Sequence, residues 1–333
     1  MDKSKIRDIV TISIGIAIVL AIIIGISSIN HKISDSKQAF YVTMLGGSNL
    51  KDNGNTQSMA YIIKTKQNHI ILVDGGNESD KDYLVERIKQ YGNNVDYWFV
   101  THPHSDHIGA LYQILADKDL DITISNIYYH FNDLDWYRSV EEDRFGQTEQ
   151  YINAILNSDK IHNKVDCKKG DDFFIDNLEC KILRVGNQEN YSEEYPVNDS
   201  SMVFKFTETI IGRSIIFLGD SNNQASKELL ETCGADLPSY AVQMAHHGQN
   251  GVVEDVYKVI NPEVCFFNSP EWLYNNDSGS GYNSGNWRTL EVRDWVNSLG
   301  AESYVAYKGD LTIKFTSSGH EIFESLMEKL NLK

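Results

Sequence analysis

From Ile9 to Ile29 the chain carries no charged residue, and Val10–Ile26 is almost wholly Ile, Val, Leu, Ala and Gly. A run of about 20 apolar residues is long enough to cross a hydrocarbon core of about 30 Å as a helix. The apolar part of a cleaved signal peptide is shorter, about 7–15 residues, and ends at a small-residue site. Gly25-Ile26-Ser27-Ser28 matches such a site weakly. The pattern therefore predicts an uncleaved transmembrane signal anchor over 9–29, after a cytoplasmic N-terminus over 1–8 and before a polar linker over 30–38. Lys3, Lys5 and Arg7 precede the span and Lys32 and Lys37 follow it. This slight bias places the N-terminus inside and the remainder, residues 39–333, outside the cell as a single-pass membrane protein.

Beyond the linker the pattern changes to short β-branched and aromatic runs alternating with helical periodicity. Strands are expected at Phe40–Leu45, Met59–Lys64, His69–Val73, Val95–Val100, Ile122–Tyr129, Leu178–Val185, Ser201–Phe206, Ser214–Leu218, Tyr240–Met244 and Glu263–Phe267. Two more are expected around Lys308-Gly309-Asp310. Helices fit Lys81–Tyr91, Ile108–Ala116, Asn222–Thr232, Val252–Ile260 and Thr289–Leu299. Strands outnumber helices, and the helices fall between strand groups in both halves. An α/β (α+β layered) arrangement, two facing sheets with helices outside, satisfies that order. Residues 131–146 and 269–286 read as long loops, of the kind that are either functional lids or simply mobile.

Composition adds two constraints. The net charge is −17, which disfavours nucleic acid as a partner because binding to phosphate backbones draws on Lys and Arg. No basic run offsets it, and Glu141-Glu142-Asp143 and Glu193-Glu194 read as solvated loop. The four cysteines, Cys167, Cys180, Cys233 and Cys265, are widely spaced and show no CxxC pair. Cys180 and Cys265 lie in strand-like runs as core residues.

The chemistry concentrates in Thr101-His102-Pro103-His104-Ser105-Asp106-His107, directly after the Val95–Val100 strand. Pro103 cannot donate to a sheet ladder, so the strand stops there and the polar residues fall in a loop. Imidazole with carboxylate suits zinc, with manganese and iron as competitors. His102 and His104 point one way in an extended loop, and Asp106 and His107 follow after a turn, so one strand end feeds two adjacent metals. Three further elements end strands: Asp74 before Gly75-Gly76, Gly219-Asp220 after Ile215–Leu218, and His246-His247-Gly248 after Tyr240–Met244. Five of the ten histidines lie in the first and last of these four motifs.

His-x-His-x-Asp-His after a hydrophobic strand resembles the signature of the metallo-β-lactamase fold superfamily. The His-His-Gly and Asn198-Asp199-Ser200-Ser201 stretches resemble the branch that holds the extracellular domain of the ComEC competence proteins and the phosphorylcholine esterases. The resemblance covers about residues 40–318. It implies a four-layer αββα sandwich with two divalent metals, zinc foremost, at one edge. The ligands it implies are His102, His104, Asp106, His107 and Asp220, with Asp220 bridging the metals. His247 is preferred over His246 as the last ligand. His246 is then left to contact a substrate oxyanion, which makes Asp106, Asp220 and His246 the residues assigned to catalysis. Asp74 is expected to support a metal-binding histidine without itself binding metal. Many superfamily members place another histidine between the first motif and the Gly-Asp strand. Here Asn198-Asp199 stands at that point, so either Asp199 supplies an oxygen to the first metal or that metal is weakly held or absent. Arg288, where the branch often carries a histidine-containing stretch, reads either as an anion contact or as an exposed helix start.

The function that follows is a membrane-anchored metal-dependent hydrolase, in which a metal-activated hydroxide cleaves a phosphodiester or phosphoester of a small molecule or surface polymer. The alternatives are a lactone or β-lactam-type acyl hydrolase, disfavoured by the missing histidine, and a non-catalytic metal-binding sensing module at the surface.

Overall fold

Most central strands are apolar on both faces, and that decides the layering. In the computed structural model of the protein, residues 39–50 and 56–323 are described. They form, in order, β1 (Phe40–Met44), β2 (Ala60–Lys64), β3 (Ile70–Asp74), α1 (Lys81–Lys89), β4 (Asn94–Phe99) and α2 (Ser105–Ala116). Next come β5 (Thr123–Tyr129), α3 (Leu134–Val140), α4 (Phe145–Asn157), β6 (Ile161–Asp166), β7 (Asp172–Ile175) and β8 (Leu178–Arg184). Then follow α5 (Pro196–Asp199), β9 (Val203–Glu208), β10 (Arg213–Phe217), α6 (Asn223–Thr232), β11 (Ala241–Gln243) and α7 (Glu254–Ile260). The order closes with β12 (Val264–Phe267), α8 (Glu271–Tyr274), α9 (Thr289–Ser298), β13 (Glu302–Val305), β14 (Leu311–Thr316) and β15 (Gly319–Phe323).

The strands make one eight-stranded sheet, β15-β14-β1-β2-β3-β4-β5-β6, and one seven-stranded sheet, β13-β12-β11-β10-β9-β8-β7. Alternate residues of each strand serve different layers. Ile71 and Val73 of β3 join Phe40, Phe99, Phe204, Phe217 and Phe266 between the sheets, while Leu72 faces Leu84, Ile88, Leu111, Ile114 and Ile155 of the outer helices. On the far side, Ile216, Val242 and Cys265 pack under Leu229, Val256, Tyr257, Val292 and Val296. Helix, sheet, sheet and helix layers result, as expected. All four cysteines are buried and free.

Sheet polarity then positions the chemistry. β3 and β4 are parallel neighbours in one sheet, and β10 and β11 in the other. The C-terminal ends of neighbouring parallel strands open on a common edge, where α/β proteins place their sites. Asp74, the residues after β4, Asp220 after β10 and His246–His247 after β11 all sit at those ends.

Several expectations need correction. Asp106 and His107 belong to the first turn of α2, which begins at Ser105, with His104 in extended conformation ahead of it. The two strands expected around Lys308–Asp310 are present as β13 and β14, but they enter different sheets: β13 pairs with β12 and β14 with β1. The stretch 131–146 is not loop, since it holds α3 and the start of α4, and α8 lies within 269–286. β6 is an edge strand in which Ile161 is the one fully buried residue, so its alternation is faint. The anchor expected over 9–29 and the linker over 30–38 lie outside the described residues. Among the described residues no helix is long and apolar enough to cross a membrane.

Phe99 is fully buried, stacks on Tyr128 at 4.8 Å and meets Phe204 of the opposite sheet at 5.0 Å. Phe99→Ala should therefore lower unfolding stability by about 3–5 kcal/mol, measured by urea denaturation. A loss below about 1 kcal/mol would show that the inter-sheet core is not packed as described.

Candidate metal centre

The strand ends turn sharply to deliver their side chains. Asp74, Gly219, His246 and His247 all have positive φ, at 52°, 55°, 50° and 57°. Two consecutive left-handed histidines cost roughly 1–3 kcal/mol each, and such strain persists where surrounding contacts over-determine it. Here His246 N donates to Gly219 O at 3.0 Å, and Ser269 Oγ donates to His247 O. Glycine is required at 219, where a Cβ would lie 2.7 Å from Ser201 Oγ and 3.0 Å from Thr101 Cβ. Buried Gln243 locks the same turn: its Oε1 accepts from Leu218 N and Gly219 N, each at 2.8 Å, and its Nε2 donates to Gly219 O at 3.1 Å.

Five imidazoles are each held by one nitrogen. His107 Nδ1 donates to Asp74 Oδ2 at 2.6 Å, His247 Nδ1 to Asn268 O at 2.8 Å, and His246 Nδ1 to Asn250 O at 3.3 Å. His104 Nε2 donates to Glu141 Oε2 at 2.9 Å. Ser201 Oγ gives its proton to Asn198 O at 2.7 Å, so it accepts from His102 Nδ1 at 3.2 Å and from Asp220 N at 2.9 Å. These acceptors fix the protonated nitrogen of each ring. The remaining nitrogens point inward. Around Asp220 they stand at 3.2 Å (His107 Nε2 to Oδ1) and at 3.9, 3.8 and 3.7 Å (His102, His246 and His247 Nε2 to Oδ2). Asp106 Oδ2 lies 3.1 Å from His247 Nε2.

Burial and charge compete here. Burial opposes a charge on His107, but Asp220, Asp74 and Asp106 outweigh it and hold the imidazolium well above the usual range. Burial also opposes ionisation of Asp220, yet His107 and His247 keep its carboxyl well below the usual carboxylate range. Asp106 is likewise lowered by His107 and His247 against its own burial. His102 and His246 go the other way: burial, the largest effect on each, holds them below the ordinary imidazole range and so neutral. A neutral His246 protonated at Nδ1 presents an accepting Nε2. It can take a proton or bind a cation, but only its imidazolium could donate to an oxyanion, the role expected of it.

The residues fit a dication. Asp106, His107, Asp220 and His247 each offer a ligand atom, all within 4.8 Å of one another. His107 Nε2 and Asp220 Oδ1 are buried without a hydrogen-bond partner. His102 Nε2 and His104 Nδ1 face each other at 3.1 Å, two lone pairs that repel unless a proton or metal lies between. The donors are two carboxylates and imidazoles with no thiolate, a set suited to zinc, iron or manganese.

Asp199, expected as a possible oxygen ligand, is turned away from the centre. Its Oδ1 accepts from Asn222 N and Ala225 N at the start of α6, each at 3.0 Å, and its Oδ2 accepts from Ser192 N at 3.2 Å and faces Arg184 Nη2 at 3.4 Å. Fully buried Arg184 also donates to Asp199 O, Ser201 O and Glu228. Asn198 is the residue that reaches the centre, donating Nδ2 to Asp220 Oδ2 at 2.8 Å. Its position beside Asp199 in the Asn-Asp-Ser-Ser stretch was the available signal. Glu141 departs from its reading as solvated loop, and nothing local marked it. Arg288 forms a two-pronged pair with Glu291 and lies over Trp295, as a helix start.

Two outcomes separate support from ligation. Asp74→Asn should weaken zinc affinity on the order of 10- to 100-fold without abolishing binding, measured by chelator competition. Asp199→Ala should leave zinc content unchanged by elemental analysis while destabilising the fold by about 3–5 kcal/mol, because Arg184 loses a buried partner. Loss of metal from an otherwise folded Asp199→Ala protein would restore Asp199 to the ligand set.

Among known proteins, a family model described as metallo-beta-lactamase superfamily matches residues 53–174. No curated protein sequence matches. Among solved structures, the metallo-beta-lactamase fold protein YhfI from Bacillus subtilis is 13% identical over 83% of this chain and 99% of its own, with a TM-score of 0.52. Unliganded yeast PDE1 is 12% identical, with coverage of 82% and 99% and a TM-score of 0.47. Zn(2+)-bound PqqB from Methylobacterium extorquens is 11% identical, with coverage of 82% and 99% and a TM-score of 0.48. At such identities the likeness is one of fold. The sandwich and the family match over residues 53–174 together give this chain the metallo-β-lactamase fold.

Proposed function

We propose that the protein is a metal-dependent hydrolase of phosphoesters, most readily phosphodiesters, tethered to the outer face of a cell membrane by its N-terminal apolar run. The observation that carries the reading is Asp220, whose two oxygens face different imidazoles: Oδ1 faces His107, and Oδ2 faces His102, His246 and His247. A carboxylate so placed can serve two cations at once. Divalent metals bound there would lower the pKa of water towards about 7 and neutralise charge on the oxygens of an attacked phosphoryl group. The chain's own residues orient and exclude. Asp74, Asn268 and Ser201 fix three rings, and the left-handed backbone at 246–247 brings His246 Nε2 beside Asp220. That nitrogen is the atom placed to take up a proton during turnover. The tether rests on the length of the apolar run alone, and the finer likeness to the ComEC-like branch on the sequence motifs alone.

The test is hydrolysis of bis-p-nitrophenyl phosphate by the full chain loaded with zinc or manganese. Turnover should require metal, and Asp220→Ala should lose both metal and activity. Lactone or lactam hydrolysis without phosphodiester cleavage would favour the acyl-hydrolase reading. Stoichiometric metal with neither activity would favour a sensing module. The full chain should also need detergent to stay in solution, and free solubility without it would remove the tether.

A further inference from the structure

We propose that the two metal positions fill unequally, and that Asn198 sets the weakness of the second. This rests on the metal-centre reading above and concerns how that centre is loaded. The position framed by Asp106, His107, Asp220 and His247 combines two carboxylates with two imidazoles, enough charge to neutralise a dication. The position at His102 and His104 has two imidazoles, no carboxylate of its own and only a share of Asp220. The oxygen it would share, Oδ2, stands 3.9 Å from His102 Nε2 and already accepts the Asn198 amide at 2.8 Å. An amide beside a carboxylate presents its NH2, so Asn198 Nδ2 stands where a cation would approach. The same amide lies 3.4 Å from His246 Nε2, so both acceptors near this position lean on one donor. Among the described residues no neighbouring carboxylate makes up the deficit. Both oxygens of Asp199 are committed to Arg184, Ser192 and the start of α6, and Glu141 binds the outer nitrogen of His104.

Loading of the His102–His104 position must therefore displace the Asn198 hydrogen bond or rotate that amide to turn its oxygen inward. The Asp106–His107–Asp220–His247 position needs neither. The resting protein then carries one metal tightly, and the second joins at higher metal concentration.

Zinc titration of the metal-stripped full chain in detergent, by competition with a chromophoric chelator, tests this without reference to turnover. The expected result is two binding events whose affinities differ by about tenfold or more, the scale on which outer partners act on metal affinity. His104→Ala should erase the weaker event and keep the tighter. Asn198→Asp should tighten the weaker event by on the order of 10- to 100-fold and leave the tighter one in place. Asn198→Ala, which removes the competing donor without adding charge, should move it in the same direction by a smaller factor, with circular dichroism confirming that each variant is folded. Two equal affinities in the wild-type chain, or a weaker event unmoved in both folded Asn198 variants, would overturn the proposal while leaving the metal centre intact. Absence of any zinc binding would instead remove the metal centre, and this proposal with it.

Discussion

Buried imidazole lone pairs that converge on a buried carboxylate require positive charge among them, and much of this protein's architecture serves to maintain that arrangement. Asp220 is almost wholly buried with four imidazole nitrogens within 4 Å of its oxygens. Each of those rings is fixed through its outer nitrogen, so none can turn away to relieve the crowding. In the metal-free state the proton held by His107 supplies part of the charge. A metal ion would replace that proton, so binding and proton release are linked.

The surrounding structure shows why the arrangement does not relax. Each sheet contributes two strand ends to one edge, and the turns after β10 and β11 are held by buried groups outside the cluster of inward-facing donors. Gln243 fastens the Gly219 turn through both ends of its amide. Arg184 and Asp199 tie the Asn198–Ser201 segment to the start of α6, and Ser201 in turn orients His102 and receives the amide of Asp220. Removing any of these would leave a buried polar group unpaired, which is costly in a low-dielectric interior.

Much of this was legible in the sequence because the decisive signals are local. Five histidines and three aspartates lie in motifs that follow apolar runs, and a strand that ends at Pro103 or Gly219 announces where its polar residues must lie. The order of strands and helices allowed two facing sheets with helices outside, and the resemblance implied the four layers. What failed was long-range or faint. Asp199 and Asn198 are adjacent and both polar, and only the buried Arg184, fourteen residues before Asn198, decides which one turns inward. Glu141 reaches His104 because α3 packs where no periodicity predicted it. The buried residues Tyr151, Ile152 and Ile155 of α4 do follow helical spacing, but the acidic and aromatic stretch before them masked the helix. β13 and β14 could not be assigned to different sheets from the Lys308-Gly309-Asp310 turn signal, since a turn shows that the chain bends and not which neighbour each strand finds.

The most direct test of the account is anomalous diffraction at the zinc edge from crystals of the zinc-loaded protein. The account predicts a strong peak ligated by Asp106, His107, Asp220 and His247, with Asp74 still bonded to the far nitrogen of His107. A peak coordinated by Asp199, or no peak at the Asp220 edge in fully loaded protein, would contradict it.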